Sequence, residues 1–244
     1  MKKYIFSSDR NDGFGAQYQD ILFKILYAEF NNLEFVYNDI KSICHNYNND
    51  ENHTNNLCDF MNIKNNYLSN KHVNKDDIFE INTSELFNNV ESNIDIYTNN
   101  NKSITKIKEC FWKNKDKNHF KNEKINIAVH IRRLNKFDTR IEGTNKPDNY
   151  YLNVINHIRN NYKNKEILFH IYSQGNIENF DCYKNEDVVL HIDEELTSTF
   201  TGLVAADILV TSASSFSYTA ALLTDGEVYY LPFWHKPKKE WKIL

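Results

Sequence analysis

The chain has 244 residues, 41% hydrophobic and 25% charged, with a formal net charge of −4, the make-up of an ordinary globular protein. The negative balance speaks against a protein whose main task is neutralising a nucleic-acid backbone. No stretch approaches the roughly 18 apolar residues that span a bilayer. The opening residues, MKKYIFSSDRND, turn polar after three apolar residues and lack the apolar core of a secretory signal, so the expected location is cytoplasmic. The four cysteines, Cys44, Cys58, Cys110 and Cys182, are far apart and form no CxxC pair. They read as free thiols and not as a disulfide framework or a zinc site.

In chain order, KKYIFSS reads as a short strand, GFGAQYQDILFKILYAEF as an amphipathic helix entered through glycine turns, and LEFVYN as a second strand. Residues 40–105 are polar and rich in asparagine. They hold scattered short helices whose order the pattern does not give, and the asparagines read as a surface drifting under compositional bias. After residue 120 the pattern sharpens. INIAVHI (125–131), ILFHIYS (167–173), VVLHID (188–193), DILVTS (207–212) and EVYYLP (227–232) are short, nearly continuous apolar runs rich in Val and Ile. Such runs suit strands covered on both faces. Between them PDNYYLNVINHIRNNY is spaced for a helix, with Asp148 or Asn149 as its N-cap. EELTSTFTGLVAAD and SSFSYTAALLTDG are shorter helical segments, and Gly226 is expected to close the second. Strands alternating with helices predict parallel sheets with right-handed crossovers. The expected fold class is α/β, in two Rossmann-like halves, 1–120 and 121–244, meeting at a cleft.

Sheets of this kind take ligands at the carboxyl ends of their strands, and three segments with chemistry fall there. His130, Arg132 and Arg133 follow the strand at 125–131. Paired guanidiniums offer planar forks of donors that match phosphate oxygens, whereas a strand end of no function would pair them with the nearby Asp138 or Glu142. Ser214, Ser215 and Ser217 stand where a strand gives way to a helix. They can cap it, and its free N–H groups form an anion site. Gly13 and Gly15 would let backbone come close to a ligand at the start of the first helix. No GxxxxGK[ST] and no strand-borne GxGxxG is present, which argues against a P-loop enzyme and a dinucleotide oxidoreductase. Together the segments suit a nucleotide diphosphate.

These same residues carry a family resemblance. VHIRR resembles the His-x-Arg-Arg motif of fucosyltransferases of the α1,2 and α1,6 type. DGFGAQYQDILF is similar to the N-terminal glycine-rich motif of the α1,2 group, and ADILVTSASSFSYTAALL followed by VYYLPFWH resembles their Ser-Ser-Phe-Ser segment and the next strand. The chain departs from the family at Leu134-Asn135, where Gly-Asp or Thr-Asp is usual, and at Gln174-Gly175, where an acidic pair is expected.

The resemblance implies a GT-B-like fold and an inverting, metal-independent transfer of fucose from GDP-fucose to a glycan hydroxyl, with no cofactor besides the donor. Arg132 would hold the β-phosphate with Arg133 in support, and His130 and Asp193 would hold guanine. Ser214, Ser215 and Phe216 would form the loop around the diphosphate. The first half would be the acceptor side and the second the nucleotide-sugar side. Asp138 and Glu142, on the loop after the arginines, and Asp12 are the candidate bases. Use of another GDP-sugar is the nearest alternative. A nucleotide-sugar or glycan-binding protein without transfer is the rival class, favoured by the two departures; a phosphate-ester hydrolase lacks a nucleophile in a recognisable setting. Trp234 and Trp241 are candidates for an acceptor platform, against a C-terminal segment folded back across the first half.

Overall fold

The computed structural model describes residues 3–46, 49–69, 72–99, 102–133 and 145–244. They divide into two compact units, Met1–Lys115 with Lys236–Lys239, and Asp116–His235 with Glu240–Leu244. Both are mixed α/β with parallel sheets. No helix among the described residues is long and apolar enough to cross a membrane.

The first unit holds β1 (Tyr4–Phe6), α1 (Phe14–Phe30), β2 (Glu34–Tyr37), α2 (His53–Met61), β3 (Leu68–Ser69), α3 (Thr83–Ser92), α4 (Ile94–Thr98) and α5 (Lys102–Trp112). Its three-stranded parallel sheet runs β1-β2-β3. Helix α1, expected to be amphipathic, is instead buried on nearly every side from Phe14 to Ala28, Gln17, Gln19, Asp20 and Lys24 included, the pattern of an interior helix and not of one with a solvated face. Its two interior charges, Asp20 and Lys24, sit 3.3 Å apart, and burial lowers the Lys24 pKa. The asparagines have structural work. Asn32, Asn49, Asn62 and Asn114 adopt left-handed backbone, a region normally left to glycine, of which this chain has only six. Asn82 caps α3, its side chain accepting from the Glu85 N–H at 2.8 Å.

The second unit holds β4 (Ile125–His130), α6 (Asp148–Asn161), β5 (Ile167–Ser173), β6 (Val188–Ile192), α7 (Leu196–Ala205), β7 (Ile208–Val210), α8 (Ser215–Leu223), β8 (Glu227–Tyr230) and β9 (Lys242–Ile243). Its sheet is parallel throughout, in the order β6-β5-β4-β7-β8-β9. Pleating sends Ile127, Val129 and Ile131 to one face, where they meet Tyr151, Val154, Ile155 and Ile158 of α6. Each such side chain stabilises the fold by about 1.5–3 kcal/mol when fully buried. Strand β9, unforeseen in the sequence, pairs with β8, and Trp241 beside it is buried against Tyr218 and Tyr230. Trp241 is therefore no sugar platform, while Trp234 is 55% exposed. Of the C-terminal segment, only Lys236–Lys239 groups with the first unit.

Two local expectations are corrected. Pro147, not Asp148 or Asn149, is the N-cap of α6, because the Asp148 carboxylate is bound to Arg133 and Tyr183. Helix α8 ends at Thr224 without a glycine cap. Gly226 instead allows close packing: an added Cβ would lie 2.3 Å from the Ala206 carbonyl oxygen and 2.7 Å from that of Asp207. Both are main-chain atoms entering β7, so neither side can yield cheaply. Gly226→Ala should cost about 1–3 kcal/mol, seen as a lowered urea midpoint; an unchanged midpoint contradicts this account of the turn.

Candidate functional site

In the second unit, β5 and β6 lie on one side of β4 and β7, β8 and β9 on the other. The strand order therefore reverses between β4 and β7. At such a reversal the connections leave in opposite directions, and a crevice opens at the carboxyl ends of the two central strands. His130 ends β4, and the segment after β7 leads through Thr211, Ser212 and Ala213 to Ser214, the N-cap of α8. The strongest motif of the sequence and its richest hydroxyl cluster thus meet at the switch point.

The contacts there are specific. His130 Nδ1 is 2.8 Å from Ser212 Oγ, and its ring centroid is 5.6 Å from that of Phe216. Burial, and next the neighbouring Arg132 charge, hold the His130 pKa down at about 3, so the ring is neutral near pH 7. Arg132 Nη1 donates to the Ala213 carbonyl at 3.4 Å, tying the end of β4 to the loop before α8. Ser214 Oγ accepts the Phe216 N–H at 3.2 Å. The N–H groups of the first turn have no intrahelical acceptor, and the helix dipole adds to their positive potential. Ser215 Oγ is 3.0 Å from His235 Nε2, and the buried Ser217 hydroxyl receives the Ser212 N–H at 3.1 Å.

The adjacent arginines part company. Successive side chains of an extended chain point to opposite faces, so Arg133 turns toward the α6 side. There it forms an ion pair with Asp148, donates to the Lys146 carbonyl at 3.0 Å and approaches the Tyr183 hydroxyl at 3.5 Å. Tyr183 in turn donates to Asp148 Oδ1 at 2.7 Å. The partner of Arg133 among the described residues is thus Asp148, a residue whose position in the sequence suggests a helix cap. Asp138 and Glu142 themselves, like Leu134 and Asn135, lie outside the described residues.

Asp193 follows β6 with a left-handed φ of 56°, uncommon for a residue with a Cβ. Its N–H donates to the Ser173 carbonyl and its Oδ1 accepts the Gly175 N–H, both at 3.0 Å. Within β6, His191 links Glu194 (2.7 Å) to the buried His170 (2.9 Å), which reaches Asn126 (3.0 Å). Gly13 and Gly15 belong to the first unit. At Gly13 an added Cβ would stand 2.7 Å from the His45 ring, so this glycine makes room for a side chain of the chain itself. Asp12 is engaged by Arg10 Nε at 2.6 Å. Sequence reasoning missed His235 and the pairing of Ser212 with His130; no local pattern announces either, since both join residues far apart in the chain.

No family model matches the chain, and no curated protein matches it. Among solved structures it is similar to the NodZ α-1,6-fucosyltransferase soaked with GDP-fucose, at 12% identity, covering 92% of this chain and 93% of that one with a TM-score of 0.45. POFUT1 in complex with GDP gives 10% identity, 91% and 95% coverage and a TM-score of 0.45. The E. coli heptosyltransferase WaaC gives 10%, 100% and 93%, and 0.44. Likenesses this distant carry no argument, and the function proposed for the chain rests on the site.

His170, like His130, is held down at about 3, by burial first and then by His191. An unfolded imidazole takes up its proton near pH 6.5. Between pH 6.5 and about 3 the unfolded chain therefore binds protons that these two rings refuse. Their contribution is fully present above pH 6.5 and is lost as pH falls through that window. Urea midpoints should drop from pH 7 to pH 5, and His170→Gln should flatten that drop; an unchanged slope contradicts a neutral buried His170.

Proposed function

We propose that the chain is a glycosyltransferase that moves fucose from GDP-fucose to a glycan hydroxyl, with inversion and without a metal. The observation that carries the reading is the convergence, at the reversal of strand order, of Arg132 and the N-terminus of α8. A delocalised cation and a helix start facing one crevice form a site for two linked phosphates. The two units are proposed as the halves of a GT-B-like transferase, the second holding the donor and the first serving the acceptor.

The geometry supports roles for the other residues. Asp193 follows β6, two strands from β4, which at about 4.8 Å per strand places it about 10 Å to the side, the reach of a nucleoside from its diphosphate. A carboxylate there can accept from both guanine N1–H and the 2-amino group. His130, neutral, offers a hydrogen bond without repelling Arg132. Arg133 supports from behind, fixing the chain that carries Arg132 by its hold on the start of α6.

In the reaction the acceptor oxygen bonds to the sugar's anomeric carbon as that carbon's bond to the β-phosphate oxygen breaks, and negative charge grows on GDP. Arg132 and the N–H groups of α8 are placed to stabilise that charge as it develops, a preorganised role that needs no rearrangement during the step. The acceptor hydroxyl gives up its proton to a carboxylate, for which Asp138 and Glu142 are the candidates. Gln174-Gly175, at the end of β5 where the family carries acidic residues, favours one second reading: a nucleotide-sugar-binding protein without transfer.

Calorimetric titration with GDP, UDP and ADP, without added metal, should show binding selective for GDP. Arg132→Ala should weaken GDP about 10- to 100-fold, the worth of a hydrogen bond to a charged group. Arg133→Ala should act mainly by lowering the melting temperature. Undiminished GDP binding by Arg132→Ala removes the site. Release of free fucose from GDP-fucose, or transfer to a glycan, separates the enzyme from a binding protein.

A further inference from the structure

His235 is 8% exposed and closes the VYYLPFWH stretch, where the motif reading gives it no role. It follows β8, and its Nε2 comes to 3.0 Å from Ser215 Oγ, twenty residues away in sequence. Aromatic rings confine it. The Tyr218 ring lies against it with centroids 4.8 Å apart and planes 33° apart, and the Phe233 ring meets it edge-on at 5.0 Å. Its own carbonyl accepts from the buried Tyr230 hydroxyl at 2.5 Å. A polar atom in an aromatic setting is thus aimed at the first residue of α8.

Ser215 is not needed as a cap, because Ser214 Oγ already accepts the Phe216 N–H. What the contact can set is the direction of the Ser215 hydroxyl. A hydroxyl carries one proton and two acceptor lone pairs. If His235 Nε2 accepts, that proton is consumed inside the fold and the site gains no donor. If Nε2–H donates, one lone pair of Ser215 Oγ is occupied and its proton is left for a ligand. An anionic oxygen at the start of the helix favours the second arrangement, since it accepts and cannot donate.

We propose that His235 is a positioning residue for the diphosphate: by donating Nε2–H to Ser215 Oγ, it turns that hydroxyl into a donor toward a phosphate oxygen. This rests on the nucleotide-diphosphate reading of the crevice and adds to it a residue to which that reading assigned no role. The aromatic box around His235 then has a function, to keep a polar ring in one orientation behind the phosphate loop.

The test is a double-mutant cycle read by calorimetry, with guanosine and GDP as probes. Ser215→Ala and His235→Ala should each weaken GDP about fivefold or more while leaving guanosine affinity unchanged. The double variant should be no weaker than the worse single one, since both remove the same donor. His235→Gln, whose amide nitrogen can donate to Ser215, should recover much of the GDP affinity. Equal losses for guanosine and GDP in His235→Ala would make the residue structural and overturn the proposal. So would losses that multiply in the double variant, or a Ser215→Ala protein that binds GDP normally. Melting temperatures identify any variant that fails to fold, in which case Ser215→Ala and His235→Gln decide. A wild-type protein that binds no nucleoside diphosphate overturns the function reading itself, and this inference with it. Normal GDP binding by all variants overturns only the inference.

Discussion

One constraint organises the second unit: β4 sits in the middle of a fully parallel sheet, and the chain fills first one side of it and then the other. Parallel strands need crossovers of one hand. Growth from β4 to β5 and β6 therefore lays α6 on one face, while the return to β7 and β8 lays α7 and α8 on the other. At the mouth between β4 and β7 the two sets of connections head in opposite directions. The crevice follows from the connectivity, and the sequence has only to put the right residues at two strand ends.

The pleat then divides the labour of adjacent residues. Arg132 shares the face of Ala128 and His130 and reaches Ala213. Arg133 shares the face of Ile127, Val129 and Ile131, the face packed against α6, and closes on Asp148 and Tyr183. A pair that looks redundant in sequence is one arginine for the crevice and one for the scaffold. Burial acts in the same direction on His130. By keeping the ring neutral, the fold places no charge on His130 to compete with Arg132.

Legibility varies with how local the cause is. The strand at 167–173 and the helix after Gly13 can be read almost to the residue, because a run of apolar side chains states its own burial. Several asparagines of the first unit, which look like drift in the sequence, have structural work. Their use at Asn62, a left-handed helix end, depends on backbone angles that composition does not show. Gly226 resembles a helix cap, yet its need is set by carbonyls of Ala206 and Asp207 some twenty residues earlier. The site follows the same rule. Its arginine and its serine-capped helix are visible in sequence as motifs, whereas His235 behind Ser215 requires the fold to bring β8 and α8 together.

The central claim is a place, and the most direct measurement is a crystal structure of the protein soaked with GDP. The account predicts the diphosphate at the carboxyl ends of β4 and β7, within hydrogen-bonding distance of Arg132 and of the first N–H groups of α8. It predicts the base lying toward Asp193. A diphosphate bound elsewhere, with Arg132 still turned to Ala213 and no ligand at the helix start, would contradict it.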